Sequence, residues 1–224
     1  MTLNAQKRPT IPCWAGWGVG AVSVGWWEHN VYPDGLSTVE SDLHRLIHKW
    51  VWITGVGTKE VHVLIYQAAR QEANKLLTKH WDGELPIRLG PFTDALGASK
   101  YETDLTGGVS GMVSKVSSGQ PIIVLNSSDT HARRRFTWAH ELGHIIERRD
   151  VAKDDDYSFS EFRGRTYDLH EFFADEFAGA LLMPTDELDR AQREGLTKGQ
   201  MAQRFGVSVQ AVDKRLSRLA EKPE

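Results

Sequence analysis

A His-Glu-x-x-His motif at residues 140–144 constrains this chain more than any other feature of its sequence. It lies in a run that we predict to be helical from residue 129 to residue 148. Because an α-helix turns 100° per residue, His140 and His144 project from one face, a turn apart, and can bind the same metal ion. Glu141 points about 100° away from His140, where it can reach a water on that ion but is poorly placed to bind the metal itself. The motif therefore predicts two metal ligands and a general base on one helix.

The residues around the motif predict how this helix is supported. Residues 120–125 form a short apolar run typical of a buried strand, and residues 126–129 offer several N-caps for the helix. A strand beside such a helix can pair with an extended substrate backbone. Gly143, between the two histidines, would weaken a helix by about 1 kcal/mol relative to alanine. We therefore expect another element to approach the helix closely at Gly143.

A catalytic zinc site takes three protein ligands and keeps one position open, so a third donor must come from another segment. The best candidate segment is a second predicted helix at residues 169–184, where Glu171 and Asp175 are four apart and share a face. We expect Glu171 to bind the metal and Asp175 to accept the outer N–H of His140, which fixes the tautomer of that ring. The competing donors are His170 and Glu176. The same helix carries an apolar stripe that predicts its buried side: Phe173, Phe177, Ala180 and Leu181.

Two imidazoles and a carboxylate favour one zinc ion per chain, although manganese or iron(II) would also fit. With a metal in place, the expected reaction is hydrolysis of a peptide bond, in which Glu141 takes a proton from the attacking water and returns it to the leaving amine. An additional group that stabilises the oxyanion is expected, and Tyr157, Tyr167 and His170 are the open alternatives.

Four stretches of the chain resemble the ImmA/IrrE family of metallopeptidases. They are residues 105–112 (Leu-Thr-Gly-Gly-Val-Ser-Gly-Met), 135–144, 171–184 and 201–216, in the family's order, and together they cover about residues 85–220. The resemblance implies a gluzincin-like zinc endopeptidase that works in the bacterial cytoplasm, away from membranes. It also implies a protein substrate, a helix-turn-helix repressor, whose cleavage derepresses stress-response or mobile-element genes.

The resemblance also assigns roles by position. His140, His144 and Glu171 correspond to the family's metal ligands, and Glu141 corresponds to its catalytic base. Asp175 stands at a position where the family often has Asn or Asp. The first 80 or so residues do not resemble the usual start of the family.

The element pattern predicts an α+β fold, with a small antiparallel or mixed sheet packed on the pair of metal-binding helices and with further helices at both ends. Residues 1–83 form a separate N-terminal region, with a Trp-rich hairpin within residues 9–35 and helices at 37–50 and 59–80. The zincin-like domain is residues 84–195. Its strands are expected at 101–105, 109–116 and 121–125, and residues 150–168 read as a polar loop.

Residues 196–224 form the expected C-terminal segment, two short helices in a helix-turn-helix-like layout. Lys214, Arg215 and Arg218 could contact DNA, but two acidic residues dilute the positive charge, so we favour packing against the peptidase domain and consider direct DNA binding unlikely. Residues 133–135 are three arginines, interpreted as a solvated face or as partners for carboxylates near the site. The inner side of the C-terminal helices is predicted to be Met201, Ala202, Phe205, Val209, Val212, Leu216 and Leu219.

Composition excludes few functions. The net charge of −3 argues neither for nor against a polyanionic partner, and the single cysteine, Cys13, excludes a disulfide framework within the chain. Residues 9–27 carry no charge but contain prolines, glycines and tryptophans, which makes them a poor membrane segment. Two classes of function therefore remain: an endopeptidase that cleaves a regulator, and a DNA-binding or scaffold regulator in which the metal site is only structural.

Overall fold

The structure, a computed structural model, describes residues 58–116, 118–153, 156–162 and 169–221. The predicted Trp-rich hairpin, the predicted helix at 37–50 and the candidate Tyr167 lie outside these residues. The described part of the chain has an α+β architecture, as predicted, with seven α-helices and one four-stranded mixed sheet.

The sheet has four strands: β1 (Ser99–Thr103), β2 (Val109–Lys115), β3 (Ile122–Asn126) and β4 (Tyr157–Phe162). Their order in the sheet is β1-β3-β2-β4. Strand β1 runs parallel to β3, whereas β2 is antiparallel to both β3 and β4, so that Met112 in β2 lies opposite Val124 on one side and Ser160 on the other. The three predicted strands are confirmed, with the first shifted two residues towards the N-terminus.

The predicted polar loop at 150–168 is wrong in its central part, because β4 pairs there along the whole length of β2. Residues 157–160 alternate between aromatic and serine side chains, which is the period of a strand with one buried face. Tyr157 is buried and Ser158 is exposed, in agreement with that period. The acidic run that precedes the strand is typical of a loop, and it made the short alternation difficult to recognise in the sequence.

Seven α-helices are present in the described residues. The helix that follows Pro184, Thr185–Arg193, is not among the elements predicted from the sequence, although Asp186 and Glu187 in its first turn are a typical start signal. The helices are α1 (Thr58–His80), α2 (Gly90–Ala95), α3 (His131–Ile146), α4 (Leu169–Leu182), α5 (Thr185–Arg193), α6 (Lys198–Phe205) and α7 (Val209–Glu221). None of them is long and apolar enough to cross a membrane.

Helix α3 carries the His-Glu-x-x-His motif and packs against β2, β3 and α4. Its N-cap is Thr130, whose hydroxyl accepts a hydrogen bond from the backbone N–H of Arg133 at 3.3 Å, one residue beyond the predicted caps. Beyond Ile146 the helix widens into a π-helical turn, Glu147–Ala152, which ends at Lys153 in the left-handed conformation. The predicted continuation of the helix to residue 148 is therefore π-helical in its last two residues.

The hydrophobic core lies where α3 crosses α4. Gly143 makes this crossing possible, because a Cβ at that position would lie 2.9 Å from the Cα of Ala174 and 3.2 Å from its carbonyl oxygen. The predicted close approach at Gly143 is confirmed. The apolar stripe predicted for α4 is buried as expected, and so are three residues of α3: Leu142, Ile145 and Ile146.

Helices α6 and α7 pack on the same core. Gly206 ends α6 in the left-handed conformation, with a φ of 66°, and α7 begins three residues later. Most of the predicted inner side is buried or partly buried, but Val209 is 50% exposed, so its predicted burial is wrong. Val209 is the first residue of α7 and precedes the residues of that helix whose apolar side chains face the core.

Candidate metal centre

The Nε2 atoms of the two histidines of the motif, which lie on α3, face each other. His140 Nε2 and His144 Nε2 are 3.0 Å apart, and both rings are buried. The four-residue spacing places them on one face, as the sequence predicts. Two ring nitrogens therefore face one small volume beside the helix.

Glu171 brings the third donor from α4. Its Oε2 is 3.2 Å from His140 Nε2 and its Oε1 is 3.6 Å from His144 Nε2. One donor atom from each of these three residues lies within 4.8 Å of the other two. The close crossing at Gly143 matters here, because Ala174, which touches Gly143, lies one turn after Glu171 on α4.

The donor set fits a metal such as zinc. Zn–N bonds of about 2.0–2.1 Å in a tetrahedral site place two nitrogens roughly 3.3 Å apart, close to the observed separations. In the neutral tautomer of His140 whose Nδ1–H donates to Asp175, the Nε2 lone pair faces a carboxylate oxygen of Glu171 at 3.2 Å. Two electron-rich atoms repel each other at that distance, and a divalent cation between them would relieve the repulsion.

Asp175 lies at the outer edge of His140. Its Oδ1 is 3.2 Å from His140 Nδ1. Burial alone would raise the pKa of Asp175, but the hydrogen bond and electrostatic attraction of His140, followed by those of Lys214, outweigh burial and hold that pKa well below its usual value. An ionised carboxylate can only accept, so His140 Nδ1–H is the donor, and in the neutral ring Nε2 then carries no proton.

His144 is held in a different way. Its ring stacks on Phe159 of β4, with centroids 4.4 Å apart and planes 2° from parallel. Burial, followed by the neighbouring His140 and His170, lowers the pKa of His144 well below its usual value, so the ring is neutral. Phe159 was missed in the sequence analysis because its strand was interpreted as a loop.

Glu141, the predicted general base, is fully buried on the side of α3 that faces β2. A Cβ at Gly111 would lie 3.0 Å from Glu141 Oε1, which shows how closely the strand approaches this carboxylate. Gly111 belongs to the Gly-rich stretch at 105–112 noted in the sequence. That stretch therefore lies beside the predicted base.

The competing donors are engaged elsewhere. His170 Nδ1 is 3.1 Å from Glu147 Oε1, and Arg148 Nη2 is 3.2 Å from His170 Nε2. Glu176 is surrounded by guanidinium groups of α1 and α7, the nearest being Arg70 at 2.7 Å. Among the described residues, the group able to hold a metal is therefore His140, His144 and Glu171.

The three arginines at 133–135 hold the start of α3 in place. Arg133 Nε donates to Ser110 Oγ at 3.3 Å, and Arg134 Nη1 donates to the carbonyl of Asp129 at 2.8 Å. Arg135 is half-buried and reaches the carbonyls of Ile87 and Gly206. Arg134 Nε also lies 3.7 Å from Glu102 Oε2, so Arg134 has a carboxylate partner of the predicted kind in addition to its carbonyl contact.

Comparison with known proteins places these residues in a family. Residues 92–217 match the Peptidase M78 model, described as the IrrE N-terminal-like domain. A solved structure of a Mycobacterium tuberculosis transcriptional regulator is similar, with a TM-score of 0.47 and 22% identity. That similarity covers 67% of this chain and 46% of the regulator, so the chain spans less than half of the regulator's length. No curated protein matches the chain significantly.

The family match confirms the resemblance expected from the sequence. It covers more than half of the chain and includes the histidine pair, Glu141, Glu171 and Asp175. The donor set of His140, His144 and Glu171 within this match could hold a metal ion. The chain therefore belongs to the Peptidase M78 family, described as the IrrE N-terminal-like domain.

Proposed function

We propose that this chain is a zinc-dependent endopeptidase that hydrolyses a peptide bond in a protein substrate. The observation that carries the proposal is the convergence of His140, His144 and Glu171 from two helices, on one of which the buried Glu141 directly follows His140. Three protein donors leave a coordination position for water or substrate, which a purely structural zinc site does not need.

Each residue has a distinct part in the proposed reaction. When bound, a zinc ion supplies a Lewis acid that polarises the scissile carbonyl and acidifies water. Glu141 accepts a proton from the attacking water and returns it to the leaving amine. Asp175 keeps the ring of His140 in the tautomer whose Nε2 carries no proton. Phe159 keeps the ring of His144 in its plane.

The substrate that we propose is a helix-turn-helix repressor, whose cleavage would switch on stress-response or mobile-element genes. Its support is the family resemblance of the four ordered stretches. The alternative, a DNA-binding regulator with a structural metal, has less support, because cations on α7 pair with carboxylates of α4: Lys214 with Asp175, and Arg215 and Arg218 with Glu176. A DNA-reading helix needs such groups directed outwards.

The test co-expresses the full chain with a helix-turn-helix repressor encoded by a neighbouring gene. Glu141→Gln keeps the size of the side chain and all three metal donors but removes the base, so we expect about one zinc per chain and repressor cleavage slowed about 10²- to 10⁴-fold. His140→Ala should lose the metal as well. Metal content measured on the purified proteins and mass spectrometry of the repressor provide the two readouts.

The outcomes separate the hypotheses. Equal cleavage by Glu141→Gln would contradict the assignment of the base, and stoichiometric zinc in His140→Ala would reject that ligand. A wild-type chain that binds zinc and DNA but cuts no repressor would favour the structural-metal alternative.

A further inference from the structure

A chain of polar contacts links the C-terminal helix to the metal centre. Lys214 Nζ on α7 is 2.6 Å from Asp175 Oδ2, and the other oxygen of that carboxylate, Oδ1, is 3.2 Å from His140 Nδ1. Lys214 and Asp175 are 39 residues apart in sequence. The final helix of the described chain is therefore two contacts away from a predicted metal ligand.

We propose that Lys214 is a positioning residue of the metal centre, which acts by fixing the carboxylate of Asp175 and thereby the ring of His140. The inference rests on the proposed function, because it assumes that His140 binds a metal. It gives the C-terminal segment a role in the site itself.

The geometry of a carboxylate explains why a second anchor matters. The last torsion of an aspartate side chain has broad, shallow minima, so a single hydrogen bond to His140 does not fix the carboxylate plane. Lys214 holds Oδ2 while Oδ1 faces the imidazole. Without the ammonium, the carboxylate can turn towards Arg218, whose Nη2 lies 3.7 Å from the same Oδ2.

Arg218 does not duplicate this role. Its Nη1 is 3.1 Å from Glu176 Oε2, and its guanidinium lies over the ring of Phe172 at 5.3 Å from the centroid. The guanidinium is therefore directed mainly to other groups, whereas Lys214 is at hydrogen-bond distance from Asp175.

The position of the Lys214 ammonium decides whether its removal strengthens or weakens metal binding. A positive charge near the site would by itself disfavour a cation, so its removal could in principle strengthen metal binding. Lys214 is half-exposed and is separated from the metal position by a carboxylate and an imidazole ring, so solvent screens its charge. The carboxylate that it holds touches the ligand directly. We therefore expect positioning to dominate, and removal of the ammonium to weaken metal binding.

The experiment measures zinc affinity of the metal-free, full-length chain by competition with a chromogenic chelator. Loss of a group that contacts a metal ligand typically lowers metal affinity 10- to 100-fold. Lys214 contacts the ligand His140 only through Asp175, so Lys214→Met should have a smaller effect and weaken zinc binding about 3- to 10-fold. Lys214→Arg should restore most of the affinity. The matched control is Lys198→Met, which removes an exposed ion pair with Asp213 from the same segment without touching Asp175.

A double-mutant cycle separates positioning from a general effect on the fold. In the Asp175→Ala background, Lys214→Met should cause no further loss of zinc affinity, because its partner is already absent. Additive losses would overturn the inference, and so would wild-type affinity in Lys214→Met. A wild-type chain that binds no zinc would instead overturn the proposed function, so the two failures are distinguishable.

Discussion

At the scale of single residues, Gly111 sets how closely β2 can approach the helix that carries the metal motif. A Cβ added there would lie 2.4 Å from Thr137 Cγ2, 3.0 Å from Glu141 Oε1 and 3.3 Å from Leu125 Cδ2. The first distance is shorter than any real contact, and all three neighbours are buried. A side chain at this position would therefore have to displace the strand, the helix or the carboxylate of Glu141.

Gly111→Ala should consequently impair catalysis more than metal binding. We expect a loss of about 1–3 kcal/mol in the free energy of unfolding, typical of overpacking, because the nearest atom, Thr137 Cγ2, belongs to a short, buried, β-branched side chain that has little freedom to move aside. Displacement of Glu141 should lower the cleavage rate, while the zinc content stays near one per chain because the ligands lie on α3 and α4. Urea unfolding, metal analysis and the repressor cleavage assay test this expectation.

Gly90→Ala is the control for this substitution. Gly90 begins α2, and a Cβ there would meet nothing within 4 Å. Its stability and cleavage rate should match those of the wild type. Equal behaviour of the two alanine variants would show that β2 does not restrain Glu141.

At the scale of elements, the crossing of α3 and α4 assembles the metal donors. A Cβ at Gly143 would lie 2.9 Å from the backbone of Ala174 and 3.2 Å from Phe177 Cδ1. The two helices would have to move apart. Because Glu171 belongs to the same helix as Ala174, that movement would take its carboxylate away from the histidine pair.

Gly143→Ala should therefore weaken both the fold and the metal site. Alanine favours a helix over glycine by about 1 kcal/mol. Overpacking against backbone costs about 1–3 kcal/mol, so the net effect should be destabilising. Zinc affinity measured by chelator competition should fall together with the urea midpoint.

Gly179 on α4 offers a matched comparison. A Cβ there would lie 3.5 Å from Arg215 Cδ, which is an ordinary contact. Gly179→Ala should therefore leave zinc affinity unchanged and raise stability by up to about 1 kcal/mol through helix propensity. A gain in stability for Gly143→Ala, as for Gly179→Ala, would contradict the tight crossing.

These elements show what the sequence could predict and what it could not. Features that depend on one segment alone were predictable: the shared face of His140 and His144, the shared face of Glu171 and Asp175, and the close approach at Gly143. The role of the predicted ligands remains a prediction, although the structure brings their donor atoms together. The remaining features depend on contacts between distant segments.

Arg135 is an example of such a contact, because the carbonyls that it reaches belong to residues 87 and 206. Lys214 is another, since nothing in its local sequence indicates Asp175 as a partner. The strand β4 was missed for a different reason. The alternation of aromatic and serine side chains in β4 is visible in the sequence, but it is short and follows an acidic run. The polar composition of the segment therefore favoured a loop over a strand.

At the scale of the whole molecule, one buried carboxylate joins both ends of the described chain. Glu176 on α4 is 1% exposed, and three guanidinium groups lie close to it: Arg70 of α1 at 2.7 Å, Arg215 of α7 at 2.8 Å and Arg218 of α7 at 3.1 Å. We call these four residues the Glu176 cluster. It holds α1 and α7 against α4, the helix that also carries Glu171.

Neutralising this carboxylate should destabilise the entire described fold. Glu176→Gln keeps the shape of the side chain but leaves Arg70 and Arg215, both nearly fully buried, without the charge that compensates them. Breaking a buried ion pair on one side typically costs about 3–5 kcal/mol, because desolvated charges remain. We therefore expect a large fall in the urea midpoint, with the loss of α1 and α7 together in a single cooperative transition.

Glu194→Gln provides the surface counterpart, since Glu194 pairs with Arg204 where both side chains reach solvent. Exposed ion pairs are worth at most about 1 kcal/mol, so this variant should unfold close to the wild type. Circular dichroism and tryptophan fluorescence recorded through the same urea series would show whether the transition stays cooperative. If Glu176→Gln unfolded at the same midpoint as Glu194→Gln, then apolar packing alone would hold α1 and α7 against α4, and the Glu176 cluster would contribute nothing to stability.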